Sequence, residues 1–181
     1  MKSIKKMSQP EIGAFVVTHL QKAKVPVVLS GGAVVAIYSQ GRYVSKDLDL
    51  VNMFFSKMNR IKELMAEIGF EEVDRHFKHP ESVFFIEFPP GPLSVGDEPV
   101  QEINEKQYAT GVLKLISPTD CVKDRLASYY HWGDQQSLSQ AILVAENQKI
   151  DLEEIKRWSK QEGKLIEFEI IASRLTRKKK K

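Results

Sequence analysis

A β-rich apolar run, Val25-Pro26-Val27-Val28-Leu29, stops abruptly at Ser30-Gly31-Gly32, and after a helix-sized gap comes a second such run, Lys46-Asp47-Leu48-Asp49-Leu50-Val51. No other feature narrows the possible folds as much. The first run reads as a short strand with Pro26 at its tolerant start. The glycine pair then opens a helix over 33–39. Without a Cβ in the way, backbone N–H groups at such a turn can approach an anion, and the dipole of the new helix favours negative charge there. In the second run, side chains alternate across a strand, so Asp47 and Asp49 share one face while Leu48 and Leu50 take the other. Two carboxylates on one face suit a hard divalent cation, normally magnesium, which completes its octahedron with water and phosphate oxygens. A phosphate site and a metal site are therefore expected side by side.

The flanking segments supply the scaffold. Ser8-Gln9-Pro10-Glu11 carries a capping box with proline in the first turn, and Ile12, Phe15, Val16 and Leu20 then form one apolar helical face. Ser56 is expected to cap a helix whose Ile61, Leu64, Met65 and Ile68 recur at helical spacing, with Gly69 ending it. Strands are expected at 70–74 and 82–88, the latter stopped by Pro89-Pro90-Gly91-Pro92. The apolar run 112–116 leads into Ser117-Pro118, a helix start. Further helical segments begin near Asp120, Asp134 and Asp151, divided at Gly133 and Asn147-Gln148-Lys149. Strands in the middle and helices at the end give an α+β or α/β class with a mixed sheet, flanking helices and a C-terminal helical segment.

The Gly31-Gly32 turn, the short helix and the Asp47-x-Asp49 strand together resemble the small nucleotidyltransferases, a superfamily that includes minimal bacterial, toxin-type members. The likeness is good over 26–51 and looser to about residue 140. It implies a nucleotidyltransferase-like α/β core over 1–116 with a helical segment over 117–176 packed on it, while the basic run at 177–181 reads by its charge as a basic, disordered tail. It also implies that Asp47 and Asp49 bind the metals that carry a nucleoside triphosphate, and that a later strand contributes a third carboxylate. Glu87, near the end of the apolar run Val83-Phe84-Phe85-Ile86-Glu87-Phe88, is the candidate, because a carboxylate there bears a desolvation cost. The expected cofactor is Mg2+, with one or two ions, and the expected substrate is a nucleoside triphosphate.

Other candidates rank lower. Lys123 or Arg125, on the helix after Ser117, can neutralise triphosphate charge, with Lys123 preferred; each also reads as a solvated helix residue. Ser30 and Ser45 flank the phosphate and metal segments, although serine in a turn often satisfies only backbone groups. Asp134 is expected to cap a helix. His76 and His79 are three apart but lack a further ligand, so no zinc site is expected. Cys121 reads as a small buried helix residue.

Net charge is only +3, and the excess sits at Arg174, Arg177 and Lys178 to Lys181, so the body is nearly balanced and no specific nucleic-acid surface is expected. The single cysteine excludes an internal disulfide. No run is apolar enough to span a bilayer, and the start of the chain lacks a secretory segment, so a cytoplasmic location is the simplest expectation. The acceptor stays open among tRNA, protein and small molecule, as does the oligomeric state. Two alternatives stand beside the transferase: a noncatalytic nucleotide-binding or regulatory protein, and an antitoxin or adaptor with a protein or RNA interface.

Overall fold

The computed structural model describes residues 2–54 and 56–176; the basic tail 177–181 lies outside them. A 3-10 turn at Ile4–Lys6 precedes helix α1, Gln9–Lys22. The Ser8 N–H donates to the Glu11 carboxylate at 2.8 Å, the capping contact anticipated from the sequence. Strand β1 is Val27–Ser30, α2 Gly31–Tyr38, β2 Asp47–Asn52 and α3 Met58–Glu67. There follow β3 (Glu71–Val73), β4 (His76–Lys78) and β5 (Phe85–Glu87), then a small hairpin of β6 (Ser94–Val95) and β7 (Glu98–Pro99). Strands β8 (Ile103–Tyr108) and β9 (Gly111–Ile116) complete the sheet, and α4 (Pro118–Trp132), α5 (Gln135–Asn147), α6 (Leu152–Gln161) and α7 (Leu165–Leu175) complete the described chain.

The main sheet has seven strands in the order β3-β4-β5-β2-β1-β9-β8. β1 runs antiparallel to β2 and parallel to β9, while β2 runs parallel to β5, so the sheet is mixed. This is an α+β fold. The alternation of β2 divides its surroundings. Leu48 and Leu50 are fully buried, each contributing on the order of 1.5–3 kcal/mol on folding. On the Leu48 face lies α1: a Cβ added to Gly13 would come 3.0 Å from Leu48 and 3.1 Å from Leu113. The Asp47 and Asp49 face meets the start of α2, and α2 in turn packs against α4 and α5.

Several elements differ from the sequence expectations, each for a local reason. The strand expected over 82–88 shortens to Phe85–Glu87, because Ser82 Oγ takes the Phe84 N–H and donates to the Phe84 carbonyl, turning both groups away from a ladder. Ser56 does not cap α3; Lys57 occupies that position, and the Ser56 carbonyl accepts from the Asn52 side chain at 2.9 Å. The third C-terminal helix is divided at Gly163, whose φ of +71° ends α6 before α7 begins.

Candidate active site

Ser30 pairs with Asp49, and Asp49 pairs with Glu87, so these three residues form one row across β1, β2 and β5. Paired residues on neighbouring strands point to the same face, at a separation of about 5 Å. Asp47 pairs with Phe85 one step along, which places Asp47 on that face too. The strand-to-turn-to-helix connection at Ser30 then brings the backbone against the row. Gly31 has a φ of +70°, and a Cβ there would overlap the Asp49 carboxylate. Only glycine fits this position, so the helix start and the carboxylate are in direct contact.

Charge at this point is unbalanced. The Asp49 carboxyl is pushed up to about 6, first by burial and then by the charges of Asp47 and Glu87, with Arg125 pulling the other way. Arg125 projects from α4 and is fixed by Asp124, at 2.5 and 3.0 Å, and by Gln140 at 3.3 Å. Burial works against its charge, but Asp124 outweighs burial and holds the guanidinium above its ordinary value. Arg125 thus acts on Asp49 against the like charges of Asp47 and Glu87, while being itself paired with Asp124.

Each of the outer carboxylates is held by a neighbour. Ser45 Oγ donates to Asp47 Oδ1. Glu87 Oε1 lies 2.5 Å from His76 Nε2, and the same imidazole donates Nδ1–H to the Asp74 carbonyl at 2.8 Å. As the side chains stand, no group of three Asp, Glu, His or Cys residues converges on one point among the described residues. The donor set nevertheless suits a hard divalent cation in kind: clustered oxygen ligands, with Asp49 raised first by burial and then by its negative neighbours. Asp47 and Asp49 would hold such an ion, and Glu87 would join them on leaving His76.

No protein-family model matches the chain, and no curated protein matches it in sequence. Among solved structures, an antigenic nucleotidyltransferase-like protein from Paracoccidioides brasiliensis aligns over 97% of this chain and 96% of its own, with a TM-score of 0.61 and 16% identity. The chain has a nucleotidyltransferase-like fold. The solution structure of the antibiotic-resistance factor ANT(2'')-Ia aligns over 92% of this chain and 93% of its own, with a TM-score of 0.50 and 13% identity.

Within this nucleotidyltransferase-like fold, Ser30, Gly31, Gly32, Ser45, Asp47, Asp49 and Glu87 come together. Gly32 borders Ser45 and Tyr43: its added Cβ would lie 3.4 Å from each side chain. Lys123 is placed elsewhere. It is buried, 2.9 Å from Asp120 and 3.1 Å from Glu154, in a network that continues to Arg157 and Glu98. Positions 123 and 125 are two apart on α4, roughly 200° around the helix, so they cannot face the same site, and it is Arg125 that acts on Asp49. The Asp120 to Lys123 spacing of three was the available sign that Lys123 has a partner on its own helix. Asp134 caps α5, accepting from the Gln136 N–H at 2.9 Å. His79 sits beside Phe70, with ring centroids 5.2 Å apart, and does not join His76. Cys121 is buried on α4, and burial pushes its thiol up.

Proposed function

We propose that this protein is a metal-dependent nucleotidyltransferase, moving a nucleoside monophosphate from a triphosphate to an acceptor hydroxyl with release of pyrophosphate. The observation that carries this reading is the row Ser30, Asp49, Glu87, with the Gly31 backbone seated against Asp49. In it, Ser30, Gly31 and Gly32 bind the triphosphate at the N-terminus of α2, where backbone N–H groups and the helix dipole meet negative charge. Asp47 and Asp49 hold Mg2+, with room in the reading for a second ion that Glu87 shares. Magnesium, when bound, neutralises charge on the triphosphate and on the leaving pyrophosphate. Glu87 accepts the proton of the acceptor hydroxyl as its oxygen attacks the α-phosphorus and the bond to pyrophosphate breaks. Arg125, whose charge lowers the Asp49 carboxyl, offsets part of the carboxylate charge.

The test is pyrophosphate release and self-labelling with each radiolabelled nucleoside triphosphate in magnesium, with total tRNA, protein and small hydroxyl compounds as acceptors. Wild type should turn over and the Asp47→Asn, Asp49→Asn double variant should fall to background; equal activity in the two would overturn the assignment. A second reading, a nucleotide-binding protein without turnover, is favoured by the contact between Glu87 and His76. It predicts stoichiometric, magnesium-dependent nucleotide binding with no pyrophosphate from any acceptor.

A further inference from the structure

The face of the sheet that carries the carboxylate row continues past Glu87 onto β4 and β3. Lys78 pairs with Phe85, Glu71 with Lys78 and Val73 with His76, so Glu71, Val73, Lys78 and Phe85 all point to the side of Asp47, Asp49 and Glu87. The opposite face of these strands is closed, with Phe77 and Ile86 buried, whereas on this face Glu71, Val73 and Lys78 stand exposed. Beside them the 79–84 loop walls a cavity of about 670 Å3 that the reading above does not use. Its lining is mostly apolar: Val73, Pro80, Val83, Phe84 and Phe85. Val83 is 75% exposed and Val73 42%, apolar side chains left uncovered beside a polar site. The charged groups of the lining are one of each sign, Glu71 and Lys78. The Ser82 hydroxyl is occupied with Phe84, and His79 Nδ1 accepts the Glu81 N–H at 3.1 Å.

We infer that this cavity holds the acceptor and that the acceptor is a small, largely apolar alcohol, an inference that rests on the transferase reading of the carboxylate row. Position is the first ground. Phe85 stands between the cavity and the row: it pairs with Asp47, precedes Glu87 by two residues, about 6.6 Å along the strand, and its ring meets that of His76 edge-on with centroids 4.8 Å apart. His76 in turn contacts Glu87. A molecule seated against Phe85 therefore reaches Asp47 and Glu87 with one hydroxyl while its body stays in the cavity.

Direction is the second. Across the strands the order runs from His76 through Glu87 and Asp49 to Ser30, so the cavity and the Gly31-Gly32 turn lie on opposite sides of the carboxylates. The attacking and leaving oxygens of a phosphoryl transfer stand roughly in line. An alcohol arriving from β4 and β5 bonds to the α-phosphorus through its oxygen and gives its proton to Glu87, while the bond to the bridging oxygen breaks and pyrophosphate leaves toward the N-terminus of α2.

Chemistry sets the class. Volumes of this order are typical of small-molecule sites, which are mostly apolar with a few fixed polar groups. A lining with one carboxylate and one ammonium has neither the acidic cluster that would select a polycationic acceptor nor the basic stripe that RNA requires.

Pyrophosphate release by the full chain in magnesium, with each nucleoside triphosphate, tests this with benzyl alcohol, phenol and hexanol set against glycerol, glucosamine and total tRNA. At least one apolar alcohol should raise release about tenfold over the rate without acceptor, and the polar acceptors should not. The double variant Val73→Thr, Val83→Gln changes two exposed side chains and keeps the β-branch on β3. It should raise the KM of that alcohol about tenfold while kcat and the nucleotide KM stay as in wild type. An alcohol used equally well by both proteins would overturn the cavity assignment, as would a fall in kcat with KM unchanged. Release driven by tRNA, glucosamine or glycerol but by no apolar alcohol would overturn the acceptor class and leave the transferase reading standing. No release by wild type with any acceptor removes both.

Discussion

At Gly31 two costs of a side chain coincide, a φ of +70° and overlap with the Asp49 carboxylate. Gly41 separates them: its φ is +80°, but an added Cβ meets nothing within 4 Å. Gly41→Ala should therefore lose only the left-handed backbone cost, about 1 kcal/mol, whereas Gly31→Ala should lose about 1–3 kcal/mol more, read as urea midpoints. Asp49→Asn should act in the opposite sense. In the metal-free protein it removes a buried charge disfavoured by Asp47 and Glu87, so the unfolding free energy at pH 8 should rise by about 1–3 kcal/mol while magnesium-dependent nucleotide binding is lost. A fall in stability would mean that Arg125 outweighs the like charges. At this scale the glycines and Asp47 and Asp49 were legible, because their spacing alone sets them on a turn and on one strand face. The contacts of Arg125 and of His76 were not, since each depends on which strands and helices end up adjacent.

Along α4 the two faces have separate duties, and the helix shows why Lys123 and Arg125 could not be ranked from sequence. Lys123 and Asp120 are nearly enclosed, with side-chain exposures of 7% and 10%. Lys123→Ala leaves a buried carboxylate unpaired and should cost about 3–5 kcal/mol while nucleotide affinity stays as in wild type; a selective loss of affinity would return Lys123 to the phosphate site. Glu154, which joins this network from α6, has its carboxyl lowered to about 2, first by its hydrogen bond from Arg157 and then by that from Lys123. A carboxyl lowered from 4.5 contributes stability that is full above about 4.5 and disappears as the pH falls toward 2. Unfolding free energies measured between those limits should thus fall less steeply for Glu154→Gln than for wild type. Elements themselves were unevenly legible. Helices α1, α4 and α5 announced themselves through caps and periodicity. Strand β4 has one buried residue of three, and β8, Ile-Asn-Glu-Lys-Gln-Tyr, has none fully buried, so neither carries the apolar alternation that marks a strand. They exist because β5 and β9 present them with edges to pair with.

Across the whole molecule the site depends on pairings that no local pattern encodes. β1 sits between β2, which follows it closely, and β9, which arrives some eighty residues later. The same long-range assembly ties the C-terminal helices to the rest: α2 packs on the sheet and against α4 and α5, and the Trp158 N–H of α6 donates to the Val95 carbonyl of β6 at 3.2 Å. A segment 1–116 cut from 117–176 would leave the outer side of α2 bare, so the two should unfold together. This is a demanding expectation, because the 181 residues of the chain exceed the roughly 150 below which two-state unfolding is the rule. Trp158 makes it measurable. It is fully buried and stacked beside Tyr130 of α4, with centroids 5.9 Å apart, whereas Trp132 is 78% exposed. In a Trp132→Phe variant, fluorescence reports Trp158 alone and far-ultraviolet circular dichroism reports the whole chain. Coincident denaturant midpoints are expected. A fluorescence transition at lower denaturant would mean that the helical end detaches while the sheet persists, and α2, whose first residues carry the phosphate site, would then be held by the sheet alone.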